Sequence, residues 1–246
     1  MPFLDHLAEL RTALIHCLLA IAPGMVFCFI FYDLAFVPFL RLLPEGADIA
    51  NLSPIEKFFA LLKIAFVAGI FVGFPVVLYE LWKFISPGLY RREKKALFPF
   101  LSAGWILFFT GVAFCYLVAL PFCVRFLVKF GSVNYKGREM INLWGTGAFI
   151  NFTLGMLLGF GAGFNLPVVL VSLNLLDVLR IETLRRCRRY AVIICLAVGA
   201  VLTPQDVVSM LLLAVPLYLL YEGSIVTIQI LEWRKRRREP KSTPQE

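Results

Sequence analysis

The stretch "FISPGLYRREKKALFP", residues 84–99, surrounds one carboxylate, Glu93, with four bases, Arg91, Arg92, Lys94 and Lys95. A second acidic position stands near the start, in "DHLAELR". Read as a helix, that segment sets Asp5 and Glu9 on one face and Leu4, Leu7 and Leu10 on another. An ionised carboxylate only accepts hydrogen bonds, and its two oxygens match the planar fork of a guanidinium. Read from the residues alone, "DHLAELR" is an interfacial helix that anchors the chain at the headgroups, and Glu93 pairs with a neighbouring base.

Three more polar residues interrupt or border apolar runs. Asn165, in "GFGAGFNLPVVL", precedes Pro167, whose missing N–H leaves the carbonyl of Gly163 without its helical donor. The expectation is a kinked helix in which the Asn side chain satisfies freed backbone groups. Glu80 and Glu222 each lie near one end of an apolar run, within reach of an interface. His6 and His16 are the only histidines, so histidine-based metal sites and Ser-His catalysis are removed from the rest of the chain. No G-x-x-x-x-G-K-[ST] phosphate loop is present. The six cysteines form no CxxC pair, and all but Cys187 sit in or against apolar segments, where Cys is a small packing residue.

The elements that must position these groups are membrane helices. Of 246 residues, 60% are hydrophobic and only 16% charged. The mean hydropathy is +0.83. Soluble domains are far less apolar. The net charge of +8 sits in clusters beside apolar runs, which suits anionic lipids rather than nucleic acid. Apolar runs place spans at about 14–36, 58–82, 97–120, 146–176, 190–202 and 207–221. The last two are short, a tight hairpin turned by "TPQD", and local bilayer thinning around them is expected. Ser53-Pro54-Ile55-Glu56 reads as a helix start, with Ser at the cap and Glu56 reaching back to it. Residues 121–146 read as a long loop with amphipathic character, and residues 233–246 as a disordered basic tail beyond a single domain, 1–232. Seventeen Lys and Arg fall on the side of the N-terminus and six on the other, with Lys63 just inside the second span. That bias predicts six spans with both ends cytoplasmic.

Five motifs in order, "HLAELR", "FISPGLYRREKK", "FNLPVV", "RRCRRYA" and "LTPQDVVSMLLLAVP", give the chain a strong resemblance to the TatC family, the core subunit of the twin-arginine protein translocase. The resemblance covers the chain up to about residue 232. It implies an all-α polytopic fold forming a curved wall with a concave polar face, in the cytoplasmic membrane. It implies a receptor for twin-arginine signal peptides of folded cargo, driven by the proton gradient, with no enzyme activity and no cofactor or metal. The implied partners are those peptides, TatA- and TatB-like single-span subunits, and other TatC copies. Glu9 and Glu93 match the carboxylates that recognise paired arginines. Phe84, Pro87 and Leu89 match the recognition loop, and Arg11 matches a basic position that orients Glu9. Pro38, in the first outer loop, and Asp206, in the last hairpin's turn and there a helix cap, match functionally important positions. One position departs: TatC proteins usually carry an acid where this chain has Asn165. Asparagine does not titrate, so a neutral hydrogen-bonding role carries over and a proton-linked one does not. Two other classes are weaker. A small secondary transporter would use the Gly-rich "GMLLGFGAGFN" as a broken helix. An intramembrane hydrolase lacks a nucleophile with its base.

Overall fold

The computed structural model describes residues 2–43, 48–50, 53–85, 94–131, 143–175, 179–203 and 207–238. Ten α-helices and two short strands are described: α1 (Pro2–Ile30), α2 (Tyr32–Leu40), β1 (Asp48–Ala50), α3 (Pro54–Ile85), α4 (Lys94–Phe114), α5 (Leu120–Gly131), β2 (Leu143–Gly145), α6 (Thr146–Gly163), α7 (Leu166–Leu175), α8 (Ile181–Arg186), α9 (Arg188–Leu202) and α10 (Val207–Arg238). Five segments among the described residues are long and apolar enough to cross a membrane: Leu7–Ile30, Ile55–Lys83, Leu101–Lys129, Thr146–Leu175 and Val207–Trp233. At 15 residues, α9 is about 22 Å long, which keeps it below that length.

The first span and the N-terminal "DHLAELR" are one rod. α1 runs unbroken from Pro2, so Glu9 and Arg11 ride on the same helix as the apolar residues that follow. The chain then breaks at Phe31 and resumes as α2. Pro38 therefore sits inside a helix rather than in a loop, and its carbonyl accepts the Tyr116 hydroxyl at 3.0 Å. α3 begins where the sequence places it: the Ser53 hydroxyl accepts the Ile55 N–H at 3.4 Å. Glu56, expected to serve that same cap, reaches across instead. Its Oε1 accepts the Gly147 N–H at 2.6 Å, answering an open donor at the start of α6. These helix ends are tied again by the parallel pairing of β1 and β2 and by Thr146 Oγ1 donating to the Ala50 carbonyl.

Two expected boundaries are corrected. The third span does not end at 120: a π-helical turn, Cys115–Ala119, carries α4 into α5 and on to Gly131. Pro121 follows that turn and cannot donate to the usual carbonyl, the kind of defect a π turn absorbs. α5 continues because it is amphipathic, with Cys123 and Val124 buried and Arg125 and Lys129 exposed. The last span is not short either. α10 is 32 residues long and runs through Glu222 to Arg238, so the first part of the expected tail is helical. Its polar residues do not stop it, because Ser224 and Thr227 donate back to the carbonyls of Leu220 and Gly223. Residues 204–206 of the hairpin turn lie outside the described residues; just before them the Thr203 hydroxyl donates backward to the Gly199 carbonyl at 2.8 Å, closing α9.

Small residues decide how closely the helices approach. α1 and α3 make the most extensive helix–helix contact among the described residues. The contact is built on Ala20 and Gly24 of α1 against Gly69 and Gly73 of α3, two small-x-x-x-small pairs. A methyl on Gly69 would lie 2.7 Å from the Ile21 carbonyl oxygen, and one on Gly24 would lie 3.0 Å from the Gly69 Cα. The Gly-rich run of α6 is packing surface too. A side chain on Gly155 or Gly159 would meet Leu202, and one on Gly161 would meet Phe108. Phe108 is fully enclosed, stacked on Phe74 with centroids 3.6 Å apart and edge-on to Phe71. Half of the fourth span's most apolar window is buried, against 6% of the first span's, so α6 is the pillar and α1 the outer rod.

Gly69→Ala should lower stability by about 1–3 kcal/mol through overpacking against backbone. Gly223→Ala, with nothing within 4 Å, should be neutral or stabilising by up to about 1 kcal/mol. Thermal unfolding of the two purified variants in detergent checks the contrast.

Candidate functional site

The site begins with the register between α1 and α3. His16 Nδ1 lies 2.8 Å from Glu80 Oε1, and Lys83 Nζ lies 3.5 Å from Glu80 Oε2. A carboxylate only accepts, so the imidazole proton sits on Nδ1. Glu80 is 6% exposed, and this pair fixes the two antiparallel rods at one level. Glu9 lies seven residues before His16, almost the same helix face and about 10 Å further along. Phe84 lies four residues beyond Glu80, about 6 Å along in the same direction. Glu9 therefore stands at the end of the molecule from which the 84–93 segment departs, and on the side of α1 that faces α3.

Of the residues expected at this site, Glu9 and Arg11 are exposed on α1, and Phe84 is in the last turn of α3. Glu93, Pro87 and Leu89 lie outside the described residues, as does Asp206 of the hairpin turn. The His16–Glu80 pair was not foreseen. The sequence signal was a histidine and a glutamate, both in otherwise apolar helices, at matching depth from the same end.

Asn165 forms a second polar point, buried at 7% exposure between α6 and α7. The kink expected from Pro167 is there, as a turn at Phe164 and Asn165. The Asn165 backbone N–H swings to the Ala162 carbonyl, and its side-chain Nδ2 donates to the Gly161 carbonyl at 3.0 Å. Thus the side chain takes over a carbonyl released one turn earlier in the helix. Its Oδ1 is buried with no hydrogen-bond partner. It points at α4, where a methyl on Gly104 would lie 3.0 Å away. The oxygen is thus an enclosed acceptor facing a glycine.

Glu222, expected only to reach the interface, is paired. Arg188 Nη2 donates to its Oε2 at 2.8 Å, and the Tyr218 hydroxyl donates to its Oε1 at 2.9 Å. Together with Tyr221 donating to the Leu184 carbonyl, this locks α8 and α9 onto α10.

Comparison with known proteins follows the same outline. Residues 5–216 match the family model described as "Sec-independent protein translocase protein (TatC)". The chain belongs to the TatC family. The TatC protein of Aquifex aeolicus (strain VF5) is 35% identical over 96% of this chain and 98% of its own length. That of Escherichia coli (strain K12) is 31% identical over 97% and 92%. A crystal structure of the "Twin Arginine Translocase Receptor- TatC" superposes with a TM-score of 0.78 at 34% identity, covering 92% of this chain and 98% of that one. A second, in DDM, superposes at 0.81. The chain is thus a polytopic helical membrane protein of a protein translocase, a transport subunit rather than a catalyst. Within a TatC fold, the α1–α3 seam and the buried Asn165 each build polar chemistry into otherwise apolar helices.

A double-mutant cycle of His16→Ala and Glu80→Ala should give a coupling of about 1 kcal/mol. Chemical unfolding of the four proteins in micelles measures it, and additive losses would show that the two side chains do not support each other.

Proposed function

We propose that this chain is the receptor subunit of a twin-arginine translocase in the cytoplasmic membrane, with both termini cytoplasmic. Glu9 and Glu93 grip the adjacent guanidinium groups of a signal peptide, while Phe84, Pro87 and Leu89 receive its apolar part and Arg11 orients Glu9. The observation that carries this reading is the register of the His16–Glu80 pair, which brings Glu9 to the end of α3 where the recognition segment begins. Two adjacent arginines call for two acids close together, and lysine cannot reproduce the bidentate fork. The surrounding bases, Arg91, Arg92, Lys94 and Lys95, repel basic peptides that lack the pair.

Folded cargo then moves past the receptor with single-span TatA- and TatB-like subunits and further TatC copies, drawing on the proton gradient. The Asn165 Oδ1 is the point where a polar side chain of such a helix finds an acceptor inside the membrane. It does so without titrating, so proton coupling in this chain resides elsewhere. Pro38 holds the α2 carbonyl that Tyr116 uses.

Glu9→Ala and Glu93→Ala should each weaken binding of a twin-arginine peptide by at least about tenfold, the value of one charge-assisted pair. The Lys-Lys version of the peptide should lose much less. Fluorescence anisotropy with both peptides on the purified protein distinguishes the two cases, and equal losses would remove the role assigned to these acids.

A further inference from the structure

At the end of α3 remote from Phe84, a lysine faces an open-sided cavity between α1, α3 and α6. Lys63 Nζ donates to Asn151 Oδ1 at 2.7 Å, and both side chains are exposed. The cavity measures about 300 Å³, at the small end of ligand-sized pockets. Apart from this pair its walls are apolar, formed by Met25, Phe66, Val67 and Leu154 among others. Among the described residues no carboxylate pairs with Lys63.

The hydrogen-bonding inventory of the pair is one-sided. Lysine only donates, so Asn151 must turn its oxygen toward Nζ, which leaves its amide NH₂ directed elsewhere. Two N–H groups of Lys63 and the Asn151 NH₂ then remain as donors at the mouth of an apolar cavity. Such a site takes an acceptor-rich, negatively charged group attached to a hydrocarbon body. The nearest acid on the same face, Glu56 two turns earlier, is engaged with the Gly147 N–H.

Depth chooses the ligand. Lys63 and Lys83 are separated by 20 positions on one helix, about 30 Å at 1.5 Å per residue, which is the thickness of a hydrocarbon core. With Lys83 at one headgroup layer, Lys63 lies at the other, where lipid phosphates are concentrated and where a lysine on an apolar helix comes to rest. We propose that Lys63 and Asn151 form a binding site for the phosphodiester of an anionic phospholipid, with part of an acyl chain seated against Met25, Phe66 and Leu154. The site lies in the leaflet opposite the one that holds Glu9, so it is separate from the basic clusters around Glu93. A lipid lodged there bridges α1, α3 and α6 at the end where Glu56 and the β1–β2 pair also join them.

The test is native mass spectrometry of the purified, delipidated full chain titrated with phosphatidylglycerol or phosphatidylcholine. Wild type should retain one phosphatidylglycerol in preference to phosphatidylcholine. Lys63→Gln should weaken that binding by about tenfold, one charge-assisted contact. Asn151→Leu should weaken it less, and Lys83→Gln should leave it unchanged. Circular dichroism confirms that the variants, altered at exposed side chains, are folded. Equal retention by wild type and Lys63→Gln would overturn the proposal, as would equal affinity for the two lipids. Binding of a single-span peptide carrying a carboxylate at Lys63, unaffected by added phosphatidylglycerol, would overturn it in favour of a helix partner.

Discussion

The close approach of α1 and α3 is the constraint on which the rest of this protein depends. Membrane helices gain little from apolar burial against one another, since lipid is as apolar as leucine, so shape and a few polar contacts decide their register. Here shape comes from Ala20, Gly24, Gly69 and Gly73, which let the backbones touch. Register comes from His16 and Glu80. Glycine alone leaves two rods free to slide, and a hydrogen-bonded pair alone leaves them free to splay. Together they turn the position of Glu9 on an outer, mostly lipid-facing helix into a fixed distance from the end of α3.

The same economy governs polar groups elsewhere in the apolar helices. Among the described residues, the hydroxyls of Thr153, Ser172 and Ser224 are spent within their own helix, each donating to the carbonyl four residues back. Among the described residues, several polar side chains cross between helices, and each marks a junction. His16–Glu80 joins α1 to α3, Glu56–Gly147 and Lys63–Asn151 join α3 to α6, and Arg188–Glu222 joins α9 to α10. Where the exchange is incomplete, capacity is left over. Asn165 keeps an unused acceptor and the Lys63–Asn151 pair keeps unused donors, so one point suits an incoming donor and the other an incoming anion.

Helical class and the apolar spans could be read from hydropathy, because a run of about 20 apolar residues has few alternatives in a membrane. The kink at Asn165 was legible for the same local reason, a proline that withdraws one N–H. Ends were less legible. The helix α10 outran its apolar run because Ser224 and Thr227 satisfy themselves on the helix and Glu222 is neutralised by Arg188, a residue 34 positions away. Likewise α5 continued past Pro121 because a π turn absorbed the defect. Of the candidate site, the acids are a reading of the sequence, while the pair that fixes α1 against α3 is seen in the structure alone. His16 and Glu80 stand 64 positions apart, and their contact depends on the small-residue seam, which periodicity alone does not register.

The central claim is that Glu9 and Glu93 meet at one membrane surface, and a distance between them tests it most directly. Spin labels at positions 9 and 93, in a chain whose native cysteines are replaced, report that distance by pulsed electron paramagnetic resonance. The register of α1 on α3 predicts a narrow distribution at about 20 Å or less, label arms included. A distribution centred beyond about 30 Å, a full hydrocarbon thickness, would contradict it.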